Sequence, residues 1–126
     1  MRNNLVIRNQ KGFTLIEIIA VLVILGLLAV VAVPKFIDLQ TQAREKSADG
    51  VWGAANSVSS LNFAKGVLDP TNSTPVSTGQ HLLDGMDSTP QGWSASGATI
   101  TDGTYTITVT TAEVEGVSRA VLSKSW

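Results

Sequence analysis

Few side chains in this sequence could do chemistry, and their spacing says which kind. Glu17 is the one acid in the apolar run from Phe13 to Val33, which is otherwise interrupted only by Thr14 and Gly26. It stands four residues after Phe13, and on a helix positions i and i+4 lie one above the other. It also stands in the first turn, where the helix dipole favours an anion. A cut between Gly12 and Phe13 would create an amine at Phe13, beside this carboxylate or beside a neighbour's. The result is half of an ion pair in a low-dielectric place. Such a pair adds little net stability but penalises every arrangement that leaves it unpaired. That is a register device for docking helices, and Glu17 and Phe13 are its candidate residues.

The remaining candidates are weaker. His81 is the single histidine and there is no cysteine. Multi-histidine metal sites within one chain, disulfides, Cys-based zinc sites and thiol catalysis are therefore excluded. No nucleophile motif or phosphate loop surrounds His81, so it reads as an exposed loop residue. Asp84, Asp87 and Asp102 offer oxygens without an EF-hand-like spacing and read as solvated loop acids. The residues point to no catalytic set, no metal, no cofactor and no enzyme. The formal net charge of -1 provides no basic field for nucleic acid.

These groups must be held by elements, and the longest is a helix. Phe13–Val33 has about the 20 apolar residues needed to cross about 30 Å of hydrocarbon. Arg2, Arg8 and Lys11 precede it with no acid among them, which predicts a cytoplasmic N-terminus. Three readings are open. A secretory signal peptide would end near Val30-Val31-Ala32, but its apolar region is usually only about 7–15 residues. An ordinary single-pass anchor has no reason to carry Glu17, since an ionisable group deep in a span costs on the order of 3 kcal/mol. Cleavage after Gly12 gives the acid a partner. Gly26 and Pro34 weaken the helix locally, Pro34 by removing a hydrogen bond to the Val30 carbonyl.

Residues 35–67 continue as an amphipathic stem. Phe36, Leu39 and Ala43 form one stripe, and Val51, Ala54, Ala55, Val58 and Leu61 share a face expected to pack on a small domain. Gly66 and Asp69-Pro70 are the stop. Phe13 to Val67 would then be about 55 residues of helix, about 80 Å long. A head of about 60 residues cannot cover it, so its first half needs lipid or the same half of other subunits. Residues 68–97 read as a Pro/Gly/Ser/Thr-rich surface loop with a short turn of helix at Gln80–Asp84. Asn72-Ser73-Thr74 matches a glycosylation sequon of the kind that arises often by chance. Residues 98–126 hold the clearest strand signal. Tyr105, Ile107 and Val109 alternate with threonines, and Asp102-Gly103 reads as the tight turn of a hairpin joining Ala98–Thr101 to Thr104–Thr111. The apolar side should cover the stem helix. The end is expected to give a third strand from Val117 and then an irregular tail, the alternative being a short helix capped by Ser118.

Lys11-Gly12-Phe13-Thr14-Leu15-Ile16-Glu17 resembles the processing signal of type IV pilins and type II secretion pseudopilins. The resemblance implies an α+β, pilin-like fold, with a long N-terminal helix whose first half spans the membrane and whose second half packs on a small antiparallel sheet. It implies a leader of residues 1–12, removed after Gly12 by a prepilin peptidase, and N-methylation of Phe13. Residues 13–34 would be the membrane span and later the filament core, where Glu17 pairs with the terminal amine of an adjacent subunit. Gly26 and Pro34 would let that segment stretch or melt as the subunit leaves the membrane. Implied partners are identical subunits in a helical homopolymer, the membrane, and an inner-membrane assembly platform with its ATPases. The implied location is the inner membrane and then an extracellular filament, or a periplasmic one for a pseudopilin.

The stem "VPKFIDLQTQAR" is similar to that of the mannose-sensitive haemagglutinin class of type IV pilins, which implies attachment and surface motility. The runner-up is a secretion pseudopilin driving export, and a third alternative is an anchored protein that never polymerises. Many pilins staple the C-terminal region with a disulfide, which this chain lacks. The major secretion pseudopilin carries a C-terminal calcium site instead.

Overall fold

The computed structural model describes residues 12–126; Arg2, Arg8, Lys11 and the rest of the expected leader lie outside the described residues. The chain divides into two compact units, one ending at Thr41 and one spanning Gln42–Trp126, taken here in turn.

Helix α1 runs without a break from Leu15 to Leu68 and includes both Gly26 and Pro34. In the first unit every residue from Gly12 to Thr41 is exposed. Leu15, Leu22, Leu28 and Val30 show between 61% and 77% of their surface. The helix is long and apolar enough to cross a membrane, with none of its most apolar window buried. Its amphipathic contrast is weak because nearly all positions from Leu15 to Val33 are apolar. A helix greasy on all sides belongs in lipid or in the core of an assembly.

In the second unit α1 acquires a partner. Ala48, Val51, Ala55, Val58 and Ser59 are buried, a spacing of three and four residues that marks one face. The expected face is slightly rotated. Ala48 and Ser59 join it, while Ala54 sits at its edge and Leu61 is exposed. Ser59 is tolerated inside because its Oγ donates to the carbonyl of Ala120 at 3.1 Å. The helix ends at Leu68, where Pro70 pushes Asp69 out of the helical region (φ -146, ψ 85). A single 3₁₀ turn, Pro70–Asn72, follows.

The expected surface loop is more ordered than its composition suggested. Helix α2 covers Gly79–Asp84, with the Thr78 hydroxyl accepting from the backbone N–H of His81 and with Leu82 and Leu83 buried. Strand β1, Ser94–Ser96, also falls inside that stretch. The sheet continues with β2 (Thr99–Thr101), β3 (Thr106–Thr111) and β4 (Val121–Lys124) in the order β1-β2-β3-β4, all antiparallel neighbours. The fold is therefore α+β and pilin-like, a long N-terminal helix followed by a small four-stranded antiparallel sheet.

Register fixes the two faces of the sheet. Ala95, Ile100 and Ile107 align across three strands, and Val109 pairs with Leu122. Ile100 and Ile107 are fully buried, with Val76, Leu82 and Trp93 in the same core. The opposite face carries Ser94, Thr101 and Thr106 in one rank and Ser96, Thr99, Thr108 and Ser123 in the next. It has hydroxyls and methyls and no charge.

Two expectations for this region need correction. The hairpin turn spans four residues between Thr101 and Thr106, because the Asp102 carboxylate accepts from the N–H groups of Thr104 (2.9 Å) and Tyr105 (2.7 Å) and widens the loop. The third partner strand begins at Val121 rather than Val117, and it is regular to Lys124. Val114–Ser118 instead folds into a turn, with Gly116 at φ +67, a left-handed conformation that suits glycine.

Candidate assembly site at the start of the helix

The residues singled out at the helix start come together in one place. Among the described residues, no heavy atom beyond its chain neighbour lies within 4 Å of where a side chain of Gly12 would begin. Phe13 is 85% exposed. Glu17 follows one turn later and shares a surface hollow with Phe13, Ile18, Val21 and Leu22.

The structure adds Thr14 to this set. Its backbone N–H and its hydroxyl both donate to Oε2 of Glu17, at 2.7 and 2.8 Å, and the N–H of Glu17 reaches back to the Thr14 hydroxyl at 3.3 Å. This is a reciprocal capping box, which satisfies two groups that a helix start otherwise leaves open. The signal for it was legible as T-L-I-E, a threonine with a glutamate three residues later. Glu17 thus has a role within its own chain: it starts the helix. Its carboxylate is bonded to the first turn through the Thr14 N–H and hydroxyl. Gly26 and Pro34 lie farther along the same helix; Gly26 has open space around its Cα, and Pro34 sits inside a continuous helical run.

A second charged cluster was not expected from the sequence. Asp49, on α1, receives Lys124 Nζ at 2.8 Å, the indole N–H of Trp126 at 2.9 Å and Lys46 Nζ at 3.1 Å. The Lys124 hydrogen bond, then those of Trp126 and Lys46, hold its carboxyl far below the usual carboxylate range. Lys46 is raised in return, mainly by the bond to Asp49. Lys124 also lies 4.9 Å from the Trp126 ring centroid, and Trp126 meets Tyr105 edge-on at 5.2 Å. This cluster ties the last strand to the helix. Lys124 and Trp126 lie 75 and 77 positions from Asp49, so no local motif announces their part in it.

Other head acids are committed to bonds within the head. Asp102 is lowered by the backbone N–H bond from Tyr105, helped by that of Thr104. Asp84 accepts from Gln80 at 2.7 Å. His81 is half-buried, with Nδ1 3.0 Å from the carbonyl of Pro75. Glu113 is buried, with Oε2 taking the N–H of Val76 while its own N–H donates to the Val76 carbonyl. The Glu113–Val76 pairing fastens the segment before α2 to the segment after β3. Among the described residues no group of three or more His, Asp or Glu side chains is arranged to hold a metal ion.

Comparison with known proteins gives three findings. A family described as the prokaryotic N-terminal methylation motif matches residues 7–33. The chain is 35% identical over 99 residues to the type IV narrow pilus major component PilA5 of Thermus thermophilus, a match covering 79% of this chain and 76% of that one. It is 51% identical over 43 residues to the type II secretion system core protein G of Pseudomonas aeruginosa, covering 34% of this chain and 30% of that one. No solved structure matches.

Proposed function

Since this chain belongs to the type IV pilin superfamily, we propose that it is the structural subunit of a type IV pilus. It is made as a prepilin, cut after Gly12, methylated at Phe13, held in the inner membrane and polymerised through the first part of α1. The observation that carries this reading is the exposed apolar helix that begins with Phe13, Thr14 and Glu17. That much apolar surface has to be taken up by lipid or by copies of itself. In the filament, a neighbour's Phe13 amine takes its place beside Glu17, which the Thr14 cap already holds. Gly26 and Pro34 give the segment its ability to lengthen. The likeness over most of the length of PilA5, a major pilus component, supports a pilus over a secretion filament. The stem "VPKFIDLQTQAR" supports placement near the mannose-sensitive haemagglutinin class, with attachment and surface motility as the task.

The second reading is a type II secretion pseudopilin, favoured by the 51% identity over 43 residues to core protein G. That match covers about a third of the chain, so the head does not enter it. Electron microscopy of sheared cells separates the two: a pilin gives long surface filaments and a pseudopilin at natural expression does not. Glu17→Gln, which keeps shape and removes charge, should leave processing intact and abolish filaments. Normal filaments from that variant would sink the register role.

A further inference from the structure

The head contains a polar cleft that none of the preceding roles uses. It holds about 280 Å³ and is lined by Asn62, Lys65, Thr74, His81, Asp84 and Gly85. Asn62 and Lys65 are three apart on α1, His81 and Asp84 are three apart on α2, and Thr74 comes from the segment between the helices. Residues three apart share a helix face, so two short polar rows meet across the cleft. Gly85 contributes no side chain to fill it.

The hydrogen-bonding capacity of these groups is largely uncommitted. Among the described residues, the Asn62 amide, Lys65 Nζ and Thr74 Oγ1 have no side-chain hydrogen bond. Asp84 spends one oxygen on Gln80 and keeps the other. His81 Nδ1 lies 3.0 Å from the Pro75 carbonyl and 3.4 Å from the Ser77 nitrogen, so Nδ1 is engaged in either tautomer and Nε2 is the free ring atom.

The mixture specifies a ligand chemistry. The Lys65 ammonium offers a place for one carboxylate. The carboxylate of Asp84 repels phosphate and other dianions but accepts from hydroxyl groups. The amide, the hydroxyl and the imidazole nitrogen complete a set that suits a ring carrying several hydroxyls and one carboxylate. The volume lies just below the range for ligand pockets, about 300–1,000 Å³, and admits one ring. We propose that this cleft binds a single acidic sugar residue, a uronic acid unit, with its carboxylate on Lys65 and its hydroxyls on Asp84, Asn62 and Thr74. No aromatic platform lines the cleft, so one cleft binds weakly, in the millimolar range or about 4 kcal/mol. Repetition of the cleft in an assembly would supply avidity.

The site belongs to the head alone and goes beyond the filament reading, so its test does not need filaments. Full-length chain in detergent micelles is titrated with methyl β-D-glucuronoside, methyl β-D-glucoside and acetate, followed by ligand-observed saturation-transfer NMR. Saturable binding of the glucuronoside, with the glucoside and acetate each about tenfold weaker, is expected. Lys65→Ala should weaken the glucuronoside about tenfold, the effect of one lost charge-assisted hydrogen bond. Lys35→Ala, a control outside the cleft, should change nothing. Lys65 is exposed, and unchanged near-UV circular dichroism checks that the variant is folded. No saturable binding, equal binding of the glucoside, equal binding of acetate, or an unchanged Lys65→Ala titration would each overturn the proposal. Loss of filaments in Glu17→Gln leaves this measurement unaffected, so the two readings fail separately.

Discussion

Gly79→Ala should be among the most damaging small changes in the head. Gly79 opens α2 with its Cα against β2. An added Cβ would lie 2.2 Å from the carbonyl oxygen of Thr99 and 2.6 Å from its carbonyl carbon. Both are backbone atoms and cannot rotate away. Restoring ordinary contact, at 3.4 Å or more, requires α2 and β2 to separate by about 1.2 Å. That movement also stretches the bond from Gly79 N–H to the Gly97 carbonyl, now 3.0 Å. Overpacking of this kind costs about 1–3 kcal/mol, and the lost hydrogen bond adds about 1 kcal/mol. The sum, about 2–4 kcal/mol, lowers the melting temperature of a domain this size by on the order of 10–25 °C. Gly53→Ala is the internal reference. It lies mid-helix with nothing within 4 Å of the new carbon, so it should stabilise by about 0.5–1 kcal/mol. The assay is near-UV circular dichroism of full-length chain in micelles on heating, because Trp52, Trp93 and Trp126 all report on the head. A Gly79→Ala variant melting within a few degrees of the parent would refute the close seating of α2 on β2.

Three more outcomes can be measured. Asp49 has a lowered pKa in the fold, so its contribution is present above the unfolded-state value near 4 and fades as pH falls below it; Asp49→Asn should therefore be less stable than the parent at pH 7 and equal to it in strong acid, as read by urea melts across pH. Ser59→Ala leaves the buried Ala120 carbonyl without its hydroxyl donor, and urea unfolding should show a loss of about 1–2 kcal/mol, whereas Ser57→Ala on the exposed side should fall within about 0.5 kcal/mol. Pro34→Ala restores a helical hydrogen bond and should stiffen the helix, so filaments of the variant should extend less under force; unchanged force–extension curves would argue against a role for Pro34 in extensibility.

How far the fold could be read ahead depended on the range of the interactions. The long helix was legible because its signals are local: an unbroken apolar run, then a three-and-four stripe, then Asp69-Pro70. The alternation from Tyr105 to Thr110 gave the face of β3 for the same reason. The Thr14 cap is equally local, a threonine with a glutamate three residues later that overlaps the Phe13 and Glu17 pair. What could not be read was non-local. Ser94-Ala95-Ser96 has no strand signature of its own and becomes β1 only because β2 lies beside it. Val117 looked like a strand start, but Gly116 at positive φ spends that valine on a turn and delays β4 to Val121. The Asp49 cluster requires side chains from the two ends of the head to meet, and the cleft at Asn62, Lys65 and His81 requires two helices to be placed first.

The bonds from Lys124 and Trp126 to Asp49 also set an order of events. Local contacts can form as soon as the chain is available, but a contact spanning 75 positions waits for everything between. Until Lys124 and Trp126 arrive, β3 has an open edge and the inner side of Ile107 and Val109 lacks one wall. A chain without β4 and Trp126 would therefore present a sticky, protease-sensitive head. Arrival of β4 and closure of the head become one event.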